Sequence, residues 1–192
     1  ARLWKDFLRH LKFLTEEGFV DGSGRLTKDG RWASQLRLDQ PLLVAQALRR
    51  GALSDMEPSL LAAAVAPFAY DREVEDGVDE SKLPPRLVEG YGRLRKALAG
   101  IMERKSAAGF EVRPVSLWAS ASVYAWAGGY IWEDVLSLAS ASEGDLAMLV
   151  LRTAENLRQI AGLKDAFPTV SESAAAAMDL ILKEPVVWES MS

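Results

Sequence analysis

Cysteine is absent from this 192-residue sequence, and histidine occurs once, at His10. Without cysteine there are no disulfides, thiolate metal sites or cysteine nucleophiles, and an intracellular setting is permitted. A single imidazole leaves any Ser-His-acid triad or histidine-bound metal resting on one residue. Its neighbours supply no second ligand at metal spacing, and no serine lies in a strand-elbow-helix context. No Gly-Lys dipeptide exists, so the loop that wraps nucleotide phosphates with backbone N–H groups and a lysine cannot be built. No apolar run approaches the ~18 residues of a membrane span. The first residues, Ala1, Arg2, Leu3, Trp4, Lys5 and Asp6, carry no secretory apolar region, and a soluble protein without membrane contact is expected.

What is present fits an ordinary globular chain of one or two domains, with 49% apolar and 26% charged residues, able to bury a core without staples. The formal net charge of −4 disfavours a free-standing general nucleic-acid binder, which needs surplus Lys and Arg to neutralise phosphates. Charge is uneven along the chain. Asp71, Glu73, Glu75, Asp76, Asp79 and Glu80 oppose Arg72 alone, whereas Arg86, Arg93, Arg95, Lys96, Arg104 and Lys105 oppose only Glu89 and Glu103.

Trp4, Phe7, Leu8, Leu11 and Leu14 recur at helical spacing, and Gly18 ends that helix. Phe19 and Val20, the turn residues Asp21, Gly22, Ser23 and Gly24, then Leu26 and Thr27 predict a short β-hairpin, the one good strand signal. A helix running into a small hairpin is how a winged-helix unit finishes. Helices are expected thereafter near Trp32 to Leu36, Pro41 to Arg50, Pro58 to Tyr70, Pro85 to Ala107, Pro114 to Ala127, Ile131 to Leu138, Glu143 to Leu163 and Val170 to Lys183. Several open on proline, whose missing N–H costs nothing in the first turn. The expected fold is mainly α: a helical bundle over 39–192 with an acidic loop near 71–83, preceded over 1–38 by a short helix plus hairpin.

The helix from Glu143 carries the strongest functional signal. Leu146, Leu149, Val150, Leu157 and Ile160 set its core face, and at 100° per residue Met148, Arg152, Glu155 and Gln159 fall on the opposite stripe. A guanidinium beside a thioether and an amide suits stacking on a base or bonding a single strand. The plain alternative is a solvated stripe with an Arg152–Glu155 pair of small energy. Trp118, Trp126 and Trp132 are expected in the core, and His10 at the surface. Asp79, Glu80, Ser81 and Lys82 superficially resemble a helicase magnesium box, but charged neighbours and Pro84-Pro85 preclude a buried strand there.

Three stretches resemble the C-terminal (DSH C-terminal) domain of Ski-like superfamily-two ATP-dependent RNA helicases, exosome-associated enzymes with bacterial relatives. The first runs from Gly18-Phe19-Val20 to Leu26-Thr27-Lys28-Asp29-Gly30-Arg31-Trp32-Ala33, with Asp29 inserted relative to the family's Lys-Gly-Arg step. The second is Val123-Tyr124-Ala125-Trp126-Ala127-Gly128-Gly129. The third begins Glu143-Gly144-Asp145-Leu146 and continues through Leu151-Arg152 and Leu157-Arg158-Gln159. The resemblance implies an accessory domain cut from a longer polypeptide, a winged-helix remnant and bundle packed beside the motor domains and touching single-stranded RNA, or DNA, as it leaves them. It carries the strand contact to Arg152 on the Glu-Gly helix. A further contact following the aromatics Phe68 and Tyr70 is carried to Asp71 and Arg72, where Arg72 departs from the acid the family shows. No catalytic residue and no cofactor are expected in this chain; ATP and magnesium belong to the absent motor domains, and a cytoplasmic setting is expected. The competing reading is a structural or protein-docking domain without nucleic-acid contact.

Overall fold

A computed structural model describes residues 1–70, 77–139 and 141–189. Helix α1 spans Arg2–Glu16. The apolar stripe read from the sequence is not the buried face: Leu11 and Leu14 are only partly covered and Trp4, Phe7 and Leu8, with Leu3, stay exposed, whereas the buried Phe13 lies nearly opposite that stripe. The helix closes with Phe19 N–H donating to the Leu14 carbonyl at 2.9 Å, a reversal that needs the left-handed φ of 81° at Gly18.

The expected hairpin is reduced to a single antiparallel bridge between Val20 and Leu26, with no strand among the described residues, so the wing-like remnant is not supported. The reason lies in its flanks. The Asp21 carboxylate accepts from the Ser23 and Arg25 backbone N–H groups at 2.9 and 3.0 Å, fixing a tight turn. Thr27 meanwhile caps the next helix through Gly30 N–H at 3.1 Å while donating to the Gly18 carbonyl at 2.6 Å. Helix α2, Lys28–Ala33, therefore starts earlier than the expected Trp32 and leaves no chain for a ladder. Gly30 is sterically required: a Cβ there would lie 1.9 Å from the Phe19 carbonyl oxygen.

Helices α3 (Pro41–Arg49), α4 (Pro58–Val65), α5 (Pro85–Ala107), α6 (Leu117–Ala127), α7 (Trp132–Leu138), α8 (Glu143–Ala161), α9 (Pro168–Ile181) and α10 (Val186–Glu189) complete the bundle. α4 is the axis of the fold, covered on all sides from Leu60 to Val65 and packed against α5, α6, α8 and α9. Its run of small residues, Ala62 to Ala64, lets α6 and α9 approach closely. Instead of continuing helically to Tyr70, the chain tightens into a 3-10 turn over Ala66–Ala69, where Pro67 has no N–H to give. Phe13, Phe19, Trp32 and Leu36 join the same apolar core as the bundle helices.

A buried ionic junction also ties 1–38 to the bundle. The Glu17 carboxylate receives Arg104 of α5 through Nε at 2.5 Å and Nη2 at 3.0 Å, and Arg49 of α3 stands 3.6 Å away. The Arg49 guanidinium carbon sits over the Phe19 ring, 4.1 Å from its centre, and Arg49 donates to the Glu17 carbonyl at 2.7 Å. Burial lowers the Arg49 pKa, whereas the Glu17 hydrogen bonds raise that of Arg104. The opposed directions reflect depth, and both guanidiniums stay charged at neutral pH.

Candidate functional site

The first turn of α8 is fixed from two sides. Ser142 Oγ accepts from Asp145 N–H at 3.2 Å, and Glu143 and Asp145 complement the positive end of the helix. The Glu143 carboxylate also accepts from the Trp132 indole N–H at 2.9 Å. Trp132 packs edge-on against Trp126, with ring centres 5.1 Å apart. Trp126 in turn donates to the Ile181 carbonyl at 2.9 Å and accepts from Lys183 through its own carbonyl at 2.9 Å. A chain of aromatic contacts thus anchors the start of α8 to α6, α7 and the end of α9.

With that anchor set, the helix turns as its sequence period requires. Leu146, Leu149, Val150, Leu157 and Ile160 are all buried, and the opposite stripe faces outward, with Met148 47% exposed. Met148 and Arg152 share a pocket of about 290 Å³ with Gly144, Asp145 and Leu149 of the same helix and with Ala69 and Tyr70 of the turn after α4. The half-buried Tyr70 ring leans on Trp118, with ring centres 4.9 Å apart, which fixes that wall of the pocket. Chemically this is an aromatic face, a thioether, a guanidinium and a carboxylate around one opening. Such a set can stack a planar group and hold an anionic backbone.

The stripe read from the sequence divides at this point. Glu155 and Gln159 do not line the pocket. Arg158 holds the Glu155 carboxylate in a fork at 2.9 and 2.7 Å, and Gln159 Nε2 adds a bond at 3.1 Å. The partner of Glu155 is therefore Arg158, and not the Arg152 of the plain alternative reading. Hydrogen bonding from Arg158 lowers the Glu155 pKa, and the pair is solvent-exposed. Gln159 Oε1 also accepts from Arg37 N–H at 3.4 Å, reaching the segment after α2. Asp71 and Arg72 lie outside the described residues.

Asp145 is a pocket member named from the sequence only within the Glu143-Gly144-Asp145-Leu146 stretch, although its spacing of three and then four to Met148 and Arg152 puts it on the same stripe. Tyr70 came from the resemblance alone, because 74 positions separate it from Gly144 and no local pattern links them. His10 is exposed, its ring 4.7 Å from that of Phe110. Among the described residues no group of three or more His, Asp or Glu is gathered where a metal could be held, and no helix is long and apolar enough to cross a membrane.

The DSHCT (NUC185) domain family matches this chain over residues 23–189. The chloroplastic DExH-box ATP-dependent RNA helicase DExH15 of Arabidopsis thaliana is 30% identical over 193 residues, covering 95% of this chain and 16% of that protein. Human superkiller complex protein 2 is 25% identical over 166 residues, covering 83% of this chain and 13% of that protein. The protein named "Probable helicase HelY" of Mycobacterium tuberculosis is 36% identical over 78 residues, covering 39% of this chain and 9% of that protein. The chain thus spans less than a fifth of the length of each relative.

Proposed function

The chain belongs to the DSHCT domain family, and from that premise we propose that it is an accessory domain of an ATP-dependent RNA helicase that helps hold the single strand leaving the motor. The observation that carries this reading is the pocket joining Tyr70, Met148 and Arg152 on the outward face of α8. Base stacking against an aromatic or thioether wall, with a guanidinium on the backbone, contributes roughly 1 to 3 kcal/mol per base without demanding a sequence. That is the tolerance a translocating enzyme requires. ATP and magnesium act in the motor domains of the longer polypeptide, and this chain contributes grip. The relatives do not select the cytoplasmic setting expected from the sequence, since the Arabidopsis one is chloroplastic.

The test is fluorescence anisotropy of a labelled 12-nucleotide single-stranded RNA, titrated with the chain at low and physiological salt beside Arg152→Ala. The expected result is salt-sensitive binding that the variant weakens by about tenfold, a loss of about 1.4 kcal/mol. Equal binding by both proteins with equal thermal stability sinks the reading. A docking role is favoured by one feature, the exposed and conformationally adaptable Met148. In that case Met148→Gln abolishes partner binding and leaves RNA binding untouched.

A further inference from the structure

A second cleft shares no lining residue with the α8 pocket, although its Trp118 packs against Tyr70 of that pocket, and lies between the segment that leads into α5, α6 and the α6–α7 turn. It holds about 400 Å³, and its lining is mainly apolar, including Val78, Leu83, Trp118, Tyr124, Tyr130 and Leu138. Two of those side chains are conspicuously open to solvent: Tyr130 is 56% and Leu138 60% exposed, and the adjacent Ile131 is 60% exposed. Large apolar groups gathered beside a cleft mark an interaction site more often than isolated ones do. The volume lies at the lower end of the roughly 300–1,000 Å³ of binding pockets, room for one or two side chains rather than for a folded surface.

The rim supplies the sign of the partner. Asp79 and Glu80 are exposed and stand between the lining residues Val78 and Lys82, and Asp134 occupies the turn of α7 one step before Leu138 on the same helix face. Lys82 is the one cation in the lining. The nearby Arg86 is engaged by Glu57 at 3.2 Å, and Asp79 Oδ1 accepts from Ser81 N–H and Oγ at 3.0 and 2.7 Å, which leaves its charge and its second oxygen for a cation beside the cleft. Three carboxylates against one ammonium repel a phosphate backbone. They equally disfavour a second copy seated on the same patch, because a two-fold contact would bring the two acidic rims together.

We propose that this cleft docks a linear peptide carrying a large aliphatic or aromatic side chain flanked by lysine or arginine. The anchor fills the space between Tyr130, Leu138 and Leu83, and the flanking cations meet Asp79, Glu80 and Asp134. This role is additional to strand holding and uses none of the α8 pocket residues.

The experiment is anisotropy with the 192-residue chain and a fluorescein-labelled peptide Lys-Lys-Ser-Leu-Phe-Ser-Lys-Lys. Two control peptides change the four lysines to glutamate or the Leu-Phe pair to Ser-Ser. The expected result is that each control binds about tenfold more weakly or worse, and that Leu138→Arg costs about the same factor. Asp134→Lys lowers affinity less and flattens the salt dependence. Leu138 is exposed, so the variant should melt with the parent chain; should it not, Tyr130→Ser replaces it with the same expectation. Equal binding of the acidic and basic peptides overturns the proposal. So does a Leu138→Arg effect on RNA binding instead of peptide binding, or a concentration-dependent dimer that Leu138→Arg removes. Arg152→Ala must leave the peptide titration unchanged, which keeps failure of this proposal distinct from failure of the strand-holding reading.

Discussion

Glu17 is the residue whose replacement is expected to harm the fold most for its size. Its side chain is 5% exposed and faces two guanidiniums, Arg49 at 18% exposure and Arg104 at 53%. Breaking a buried ion pair by removing one partner costs ~3–5 kcal/mol, because the surviving charge is left in a poor solvent. Glu17→Ala should fall at the lower end, about 3 kcal/mol, since half-exposed Arg104 swings into water. Arg49 cannot do so. It remains over Phe19 with Gln46 Oε1 at 2.6 Å and the Glu17 carbonyl at 2.7 Å, and the Asp29 carboxylate at 3.9 Å becomes its nearest counter-charge, which also keeps the cost at the lower end. Glu17→Gln should recover only part of the loss, because the amide keeps one acceptor oxygen for a guanidinium but turns an NH₂ toward the other donor and carries no charge. Arg104→Ala should cost clearly less than Glu17→Ala, since Arg49 still neutralises the carboxylate. The assay is urea unfolding followed by circular dichroism, with thermal melts alongside; for a chain of this length ~2–4 °C per kcal/mol puts the Glu17→Ala melt about 6–12 °C lower. High salt should not erase the difference, as it would for a surface pair. A Glu17→Ala variant within about 1 kcal/mol of the parent, or an Arg104→Ala variant that is worse, refutes the argument.

Gly30→Ala should fail more completely than its chemistry suggests, because the added Cβ meets the Phe19 carbonyl at 1.9 Å and backbone must move; a melt unchanged within a degree would show that α2 shifts freely. Trp126→Phe removes the buried indole bond to the Ile181 carbonyl, which keeps the Lys183 N–H at 3.1 Å, so the hydrogen-bond loss is that of one net bond, ~0.5–1.5 kcal/mol, readable in the same urea titration. Arg158→Ala should leave stability nearly unchanged, since its partner Glu155 is exposed. Its small effect carries a definite pH sign: with the Glu155 pKa lowered in the fold, the contribution is full above the ordinary carboxylate value of 4.5 and fades as pH falls through the lower one. A difference between parent and variant that grows toward acid would contradict this.

The bundle was legible where local rules acted without competition. Helix α5 runs from Pro85 to Ala107 as its proline start and apolar period require. Where local rules competed, the boundary moved. Thr27 could extend a hairpin or cap a helix, and the cap prevailed because it satisfies Gly30 N–H where Gly30 must also fit beneath Phe19. The pocket was half legible. Helical arithmetic found Met148 and Arg152 because α8 is regular, but it placed Glu155 and Gln159 beside them. Their diversion depends on Arg158, a neighbour within the same helix, and on Arg37, which only tertiary packing delivers. The Glu17 junction was not legible at all. In the sequence Glu17 follows Glu16 at a helix end and looks solvated, and nothing local announces two arginines 32 and 87 positions away.

The residues that carry the family resemblance divide into two kinds, and the division bears on how far function can be transferred. Gly30 is demanded by a backbone approach, Trp126 by a buried bond to α9, and Glu143 by the Trp132 indole. Each of these would be selected by the fold whatever the domain did, so a match at those positions speaks for architecture. Met148 and Arg152 differ, because they lie on the outward face of α8, opposite the face the core takes. The relay from Trp126 through Trp132 to Glu143 sets the angle at which that outward face is presented, the support a binding constellation needs from its surroundings. Architecture and site are therefore coupled through the first turn of α8. Substitutions in the relay should reach the pocket without touching it, and a loss of strand binding in such a variant would show that the presentation of α8, and not Arg152 alone, sets the grip.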